Sequence, residues 1–148
     1  MTKKDALKLE NQLCFPLYVA SKEVIRRYNP LLKELDLTYT QYLVMMVLWE
    51  HGTIGAKELG DKLFLDSGTL TPLIKKMEAK GYLEKTQSED DLRKITLKIT
   101  EKGRLLQEKA LDVPFSVASC IDLPQKDAID LYRILYEMLH QFTQNKEI

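Results

Sequence analysis

Cysteine is scarce in this chain: among 148 residues there are only Cys14 and Cys120, far apart and with no C-x-x-C. The two histidines, His51 and His140, stand at metal-ligand spacing to neither, so no metal site is expected. A structural disulfide would be unusual in the reducing compartment this composition suits. Long hydrophobic runs are missing too. No apolar stretch approaches a membrane span, and the N-terminal MTKKDALKLENQ has neither an apolar core nor a small-residue cleavage site. The expectation is a cytoplasmic protein with no membrane partner. Charge of one sign is absent as well: Lys+Arg and Asp+Glu are both 22, a formal net charge of zero. The field of the whole molecule therefore gives no help toward a polyanion, and any nucleic-acid affinity must come from a local patch. There is no G-x-S-x-G, no glycine-rich phosphate loop and no H-E-x-x-H. Neither an enzyme nor a bound cofactor is expected.

What is present is a 45% hydrophobic chain, enough for one compact, mainly α fold. From Asp5 to Tyr28, Leu9, Leu13, Leu17, Ala20, Val24 and Tyr28 recur at helical intervals. Pro16 should kink that helix or restart it close to Cys14. Asn29-Pro30 predicts a second boundary, followed by a short helical turn over Leu31 to Leu35. Leu37 to Gly52 reads as a central buried helix capped by Thr40 and stopped at His51-Gly52. Ala56 to Phe64 is a short helix. After the turn Leu65-Asp66-Ser67, a second helix should start near Gly68 or Thr69, with Pro72 in its first turn. Short helix, tight turn and second helix make a helix-turn-helix.

On that second helix Leu70, Leu73, Ile74 and Met77 share one side, leaving Ser67, Gly68, Thr69, Thr71, Pro72, Lys75 and Lys76 for contact. Hydroxyls and backbone N–H groups suit phosphates and base edges, and lysines neutralise a duplex backbone. An ordinary amphipathic surface helix has the same pattern. Tyr82–Thr86 and the alternating Ile95, Leu97 and Ile99 predict two strands joined by a charged loop, a β-hairpin wing. Thr100 caps a helix from Glu101 to about Leu111, with Pro114 as its stop, and Pro124 or Asp122 opens a last helix to about Gln144. Ile129, Tyr132, Leu135, Tyr136, Leu139 and Phe142 stripe that last helix. The wide apolar faces of the terminal helices point to a symmetric homodimer, with packing inside one chain as the alternative. Two reading heads about one turn of duplex apart would match a palindromic site in double-stranded DNA.

Three stretches resemble the MarR family of bacterial transcription factors over nearly the whole chain. LDSGTLTPLIKKMEAKGYLEK (65–85) is similar to its recognition helix and the start of its wing, and DDLRKITLKITEKG (90–103) to its wing tip and following cap. QLCFPLYVASKEVIRRY (12–28) resembles the organic hydroperoxide resistance branch, although Pro16 stands where that branch more often has alanine. The resemblance implies a winged helix-turn-helix over 31–100, with dimerisation helices over 5–30 and 101–146. It also implies that Arg93, with Asp91 orienting it and Lys94 beside it, enters a minor groove, where negative potential favours arginine. Cys14 matches the branch's peroxide-sensing cysteine, and Tyr28 and Tyr39 match the tyrosines that hydrogen-bond that sulfur from the partner subunit, with Tyr18 close by.

Cys120 stands where a two-cysteine subgroup carries a resolving cysteine. This implies that organic hydroperoxide oxidises Cys14, that an intersubunit disulfide follows, and that a repressor thereby loses its operator. A cysteine among Val117, Ala118 and Ile121 is also often just a small buried hydrophobe. Two rival functions stay open at the level of sequence. One is a repressor controlled by a small aromatic ligand, and the other is a thiol peroxidase, against which stands the lack of a thioredoxin-like βαβ pattern.

Overall fold

Residues 2–144 are described by a computed structural model, and their contacts divide into two compact units, one up to Val117 and one from Ala118. Residues 145 and 146, the end of the expected C-terminal dimerisation segment, lie outside the described residues. The first unit opens with two short 3-10 turns, Asp5–Leu7 and Leu9–Asn11. Then follow α1 (Cys14–Glu34), α2 (Tyr39–His51), β1 (Thr53–Gly55), α3 (Ala56–Leu63), α4 (Ser67–Ala79), β2 (Leu83–Gln87), β3 (Ile95–Ile99), α5 (Glu101–Ala110) and α6 (Val113–Ala118). The second unit consists mainly of α7 (Gln125–Gln144), preceded by the turn that holds Cys120. The fold is mostly helical with one small antiparallel sheet. No helix among the described residues is long and apolar enough to cross a membrane.

Prolines account for most differences from the sequence expectation. Helix α1 starts at Cys14, as Pro16 foretold, and is not kinked there: Pro16 is its third residue, where a backbone N–H has no intrahelical acceptor to lose. Pro30, by contrast, lies well inside α1, so Asn29-Pro30 is not a boundary. A proline inside a helix costs about 3 kcal/mol. The turn it would break carries Leu32 and Leu35 into the core, 0% and 5% exposed. Burying two leucines returns roughly 1.5–3 kcal/mol each, so tertiary packing overrides the local rule. Helix α5 ends at Ala110, close to the expected Leu111, but Pro114 is not its stop: it is the second residue of α6, and the flanking Val113 and Val117 are buried.

Helix α2 is capped by Thr38 and not by Thr40. The Thr38 hydroxyl accepts from the Gln41 N–H (3.3 Å), and the Gln41 side-chain oxygen accepts from the Thr38 N–H (3.1 Å). This reciprocal capping box satisfies two orphan groups at once, which a threonine at position 40 cannot do. At the other end Gly52 adopts φ 70°, matching the expected stop. Tyr42, Val44, Met45 and Leu48 make α2 the centre of the core. The Trp49 indole N–H, at its edge, donates to the Gly103 carbonyl (2.8 Å).

The expected hairpin is part of a three-stranded sheet, ordered β1-β3-β2. The short β1 is too brief to show alternation in sequence, yet it pairs Ile54 with Leu97, buried side chains both. In β2–β3 the register sets Leu83 opposite Ile99 and Lys85 opposite Leu97.

Candidate nucleic-acid interface and thiol sensor

The turn between α3 and α4 is held by backbone geometry. Phe64 ends α3 in the left-handed region (φ 55°), and the Leu65 N–H donates to the Gly60 carbonyl (2.9 Å). Gly60 is itself required here, since a Cβ would lie 2.9 Å from the Leu65 carbonyl oxygen. Asp66 then caps α4, its carboxylate accepting from the Thr69 N–H (2.8 Å). Regular helix therefore begins at Ser67, one or two residues earlier than the sequence suggested, which puts Pro72 beyond the first turn. Pro72 is the sixth helical residue and removes the bond to the Gly68 carbonyl.

Leu70, Ile74 and Met77 fix α4 to the core, with Leu73 half-buried. All seven contact candidates, Ser67, Gly68, Thr69, Thr71, Pro72, Lys75 and Lys76, are exposed. They form two adjacent rows at i, i+4, i+8 spacing, Ser67-Thr71-Lys75 and Gly68-Pro72-Lys76, with Thr69 at the edge. Because Asp66 already occupies the Thr69 amide, the helix face has more to offer a duplex than the helix terminus.

The loop between β2 and β3 is folded on itself. The Ser88 N–H donates to the Lys94 carbonyl (3.0 Å), the Lys94 N–H to the Asp91 carbonyl (2.9 Å), and the Arg93 N–H to the Asp91 carboxylate (3.0 Å). The Gln87 amide also donates to the Leu92 carbonyl. Asp91 thus holds the loop and stands 3.5 Å from the Arg93 guanidinium, whose side chain remains 94% exposed. The result is a cation presented at the tip of a loop held by its own hydrogen bonds.

Cys14 is the first residue of α1 and is exposed. Tyr18, one turn further on, faces the same side; the Lys22 ammonium donates to its hydroxyl (3.3 Å) and sits 4.9 Å from its ring centre. Tyr28 and Tyr39 are brought together, with ring centres 4.9 Å apart, and Tyr42 stands 5.9 Å from Tyr28. Burial pushes both Tyr28 and Tyr39 above the usual phenol value of 10.0, Tyr39 adding to the effect at Tyr28. Each therefore keeps an O–H to donate at neutral pH. The structure does not bring them to Cys14 of the same chain: fourteen residues of one helix separate Cys14 from Tyr28, ~21 Å at ~1.5 Å per residue. Cys120 is exposed in the turn before α7.

Sequence reasoning missed Lys80, just past α4. Its ammonium reaches the Asp36 carbonyl (2.6 Å), the Asp36 carboxylate (3.2 Å) and the Gln41 side-chain oxygen (3.2 Å). The Thr38-x-x-Gln41 spacing was the one signal in sequence that this junction is built.

Over residues 26–110 the chain matches the SarA/Rot family of transcriptional regulators. It is 45% identical over 142 residues to the organic hydroperoxide resistance transcriptional regulator of Bacillus subtilis, covering 96% of this chain and 97% of that protein. The reduced form of AbfR, a Staphylococcus epidermidis protein, bound to DNA is similar at a TM-score of 0.76, with 32% identity over 96% of this chain and 99% of that one. Disulfide-formed AbfR gives 0.65, with 31% identity over 93% and 96%. An Escherichia coli MarR variant complexed with operator DNA shares the fold, at 0.73, with 23% identity over 86% and 93%. A winged helix-turn-helix and near full-length similarity at this identity establish that the chain is a transcriptional regulator, not an enzyme, and belongs to the MarR family, beside the organic hydroperoxide resistance regulators.

Proposed function

We propose that the protein is a homodimeric repressor that binds a palindromic operator in double-stranded DNA and lets it go when organic hydroperoxide oxidises Cys14. The observation that carries this reading is an exposed cysteine at the start of α1 together with a pair of protonated tyrosines that the same chain cannot bring to it. Tyr28 and Tyr39 can donate to that sulfur only from a second copy. A dimer is further supported by the apolar surface on the terminal helices. In α1, Phe15, Leu17, Val19 and Ile25 are exposed, and α7 buries none of its residues while exposing Ile129, Tyr132, Tyr136 and Phe142. The segments 5–30 and 101–146 then serve dimerisation, and 31–100 reads DNA through α4 and the wing. The cytoplasm is the compartment in which both thiols stay reduced between signals.

The chemistry balances in two steps. The Cys14 thiolate attacks the terminal peroxide oxygen, the O–O bond breaks, and with one proton the products are a sulfenic acid and an alcohol. The Cys120 thiol of the other subunit then attacks the sulfenic sulfur, forming an S–S bond and releasing water. A disulfide requires Cα atoms within about 7 Å, so the bond draws the dimer helices to a new spacing and the two α4 helices with them. That AbfR exists in reduced, DNA-bound and disulfide forms supports the scheme by analogy.

Non-reducing electrophoresis and fluorescence anisotropy with a DNA duplex test it together. Peroxide should convert wild type to a dimer-sized band and release the duplex, and Cys14→Ser should do neither. A Cys120→Ser protein that forms the band equally well removes the resolving role. A second reading, control by a small aromatic ligand, is favoured by a cavity of about 280 Å³ lined by Tyr42, Met46, Trp49, Gln107 and Leu111. A phenolic ligand that releases DNA from Cys14→Ser would select it.

A further inference from the structure

We propose that Lys80 is a positioning residue that couples the Tyr28–Tyr39 pair to the reading helix α4. The role assigned to those tyrosines rests on the sensing scheme above, but the coupling can be measured without any oxidant. An ammonium has three N–H donors, and around Lys80 each has an oxygen: the Asp36 carbonyl, the Asp36 carboxylate and the Gln41 side chain. These acceptors belong to the junction between α1 and α2. Asp36 is held there with φ 54°, and Gln41 is 4% exposed and shares its oxygen between Lys80 and the cap of α2. Tyr39 lies in the same turn, between the two capping residues, its ring tilted at 55° against that of Tyr28.

The grip on α4 is made more than once. Tyr82 donates its hydroxyl to the Leu35 carbonyl (3.4 Å), and the Lys102 ammonium, from α5, donates to the carbonyl of Lys80 itself (2.7 Å). The last turn of α4 closes on Gly81 (φ 77°), with the Tyr82 N–H bonded to the Met77 carbonyl (3.1 Å). The C-terminal end of α4 is thus fixed to the turn that carries Tyr39, while its exposed hydroxyls lie toward the opposite end. Thirteen helical residues make a lever of ~20 Å, so a rotation of ~5° at the clamp moves the first turn by ~1.7 Å. That is enough to break base-edge hydrogen bonds, which tolerate only a few tenths of an ångström.

The test is a double-mutant cycle on DNA affinity, using reduced protein and a duplex that reduced wild type selects from a random pool. Tyr39→Ala should weaken binding in the wild-type background and change it little further in Lys80→Met, a non-additivity of about five-fold or more, within the range for residues in one network. Lys80→Arg, which retains the charge and donors, should restore the response to Tyr39→Ala. Lys80→Met should leave the salt dependence of binding unchanged, because Lys80 faces Asp36 and not phosphate. Effects that simply multiply, no response to Tyr39→Ala in wild type, or a salt slope lowered by Lys80→Met would each overturn the proposal. Urea melts of the variants separate unfolding from uncoupling. A wild-type protein whose DNA affinity ignores organic hydroperoxide would remove the sensing scheme, and the cycle would still decide the role of Lys80.

Discussion

Replacing Lys76 by alanine should change how the protein responds to salt more than it changes the fold. Lys76 is exposed on the outer face of α4 and makes no contact that holds the helix, which is anchored by Leu70, Ile74 and Met77. Removing it should move stability by less than about 0.5 kcal/mol. Each ammonium set against a phosphate contributes about 0.9 to the slope of log K against log salt, so losing one per protomer of a dimer should flatten the slope by ~1.8. Over a four-fold change in salt, from about 50 to 200 mM, wild type should then lose ~12-fold more affinity than the variant. With 22 charges of each sign the molecule has no net field to compensate, which makes a local loss visible. Anisotropy titrations at four salt concentrations, beside thermal melts, provide the measurement. A slope equal to that of wild type, seen also for Lys75→Ala, would mean that this face of α4 is not over the DNA backbone, and the interface would have to be sought elsewhere.

Two further outcomes follow from geometry. Stability should fall above about pH 10, because burial raises the Tyr28, Tyr39, Tyr42 and Tyr82 phenols above 10.0, so the unfolded chain sheds protons that the folded chain keeps. Urea melts at pH 8 and 11 should show this fall, and Tyr28→Phe should reduce it; an equal fall in that variant would refute the assignment. Gly60→Ala should cost about 1–3 kcal/mol, since its methyl meets the Leu65 carbonyl oxygen at 2.9 Å. A melting temperature within a degree of wild type would show that the turn relaxes freely.

The sequence by itself determined the helix-turn-helix, the wing strands and the outer face of the reading helix, because these follow from short-range rules. Leucines and isoleucines at intervals of three and four can only point one way on a helix, so Ser67, Thr71, Lys75 and Lys76 were bound to be exposed. Alternation in 95–99 similarly required a strand. Glycine after His51 ended α2 through its freedom at positive φ. Tertiary structure decided what local rules rank wrongly: Pro30 inside α1, because Leu32 and Leu35 are buried beyond it, and Pro114 starting α6 instead of ending α5. The three-residue β1 exists only because β3 has an edge to pair with. Only the fold joins positions 36, 41 and 80, since Lys80 finds its oxygens across a separation in sequence that no periodicity encodes. The tyrosines show the division most clearly. Their identity was legible in the chain, but that Tyr28 packs against Tyr39 while lying ~21 Å along a helix from Cys14 is a property of how α1 runs unbroken past the core.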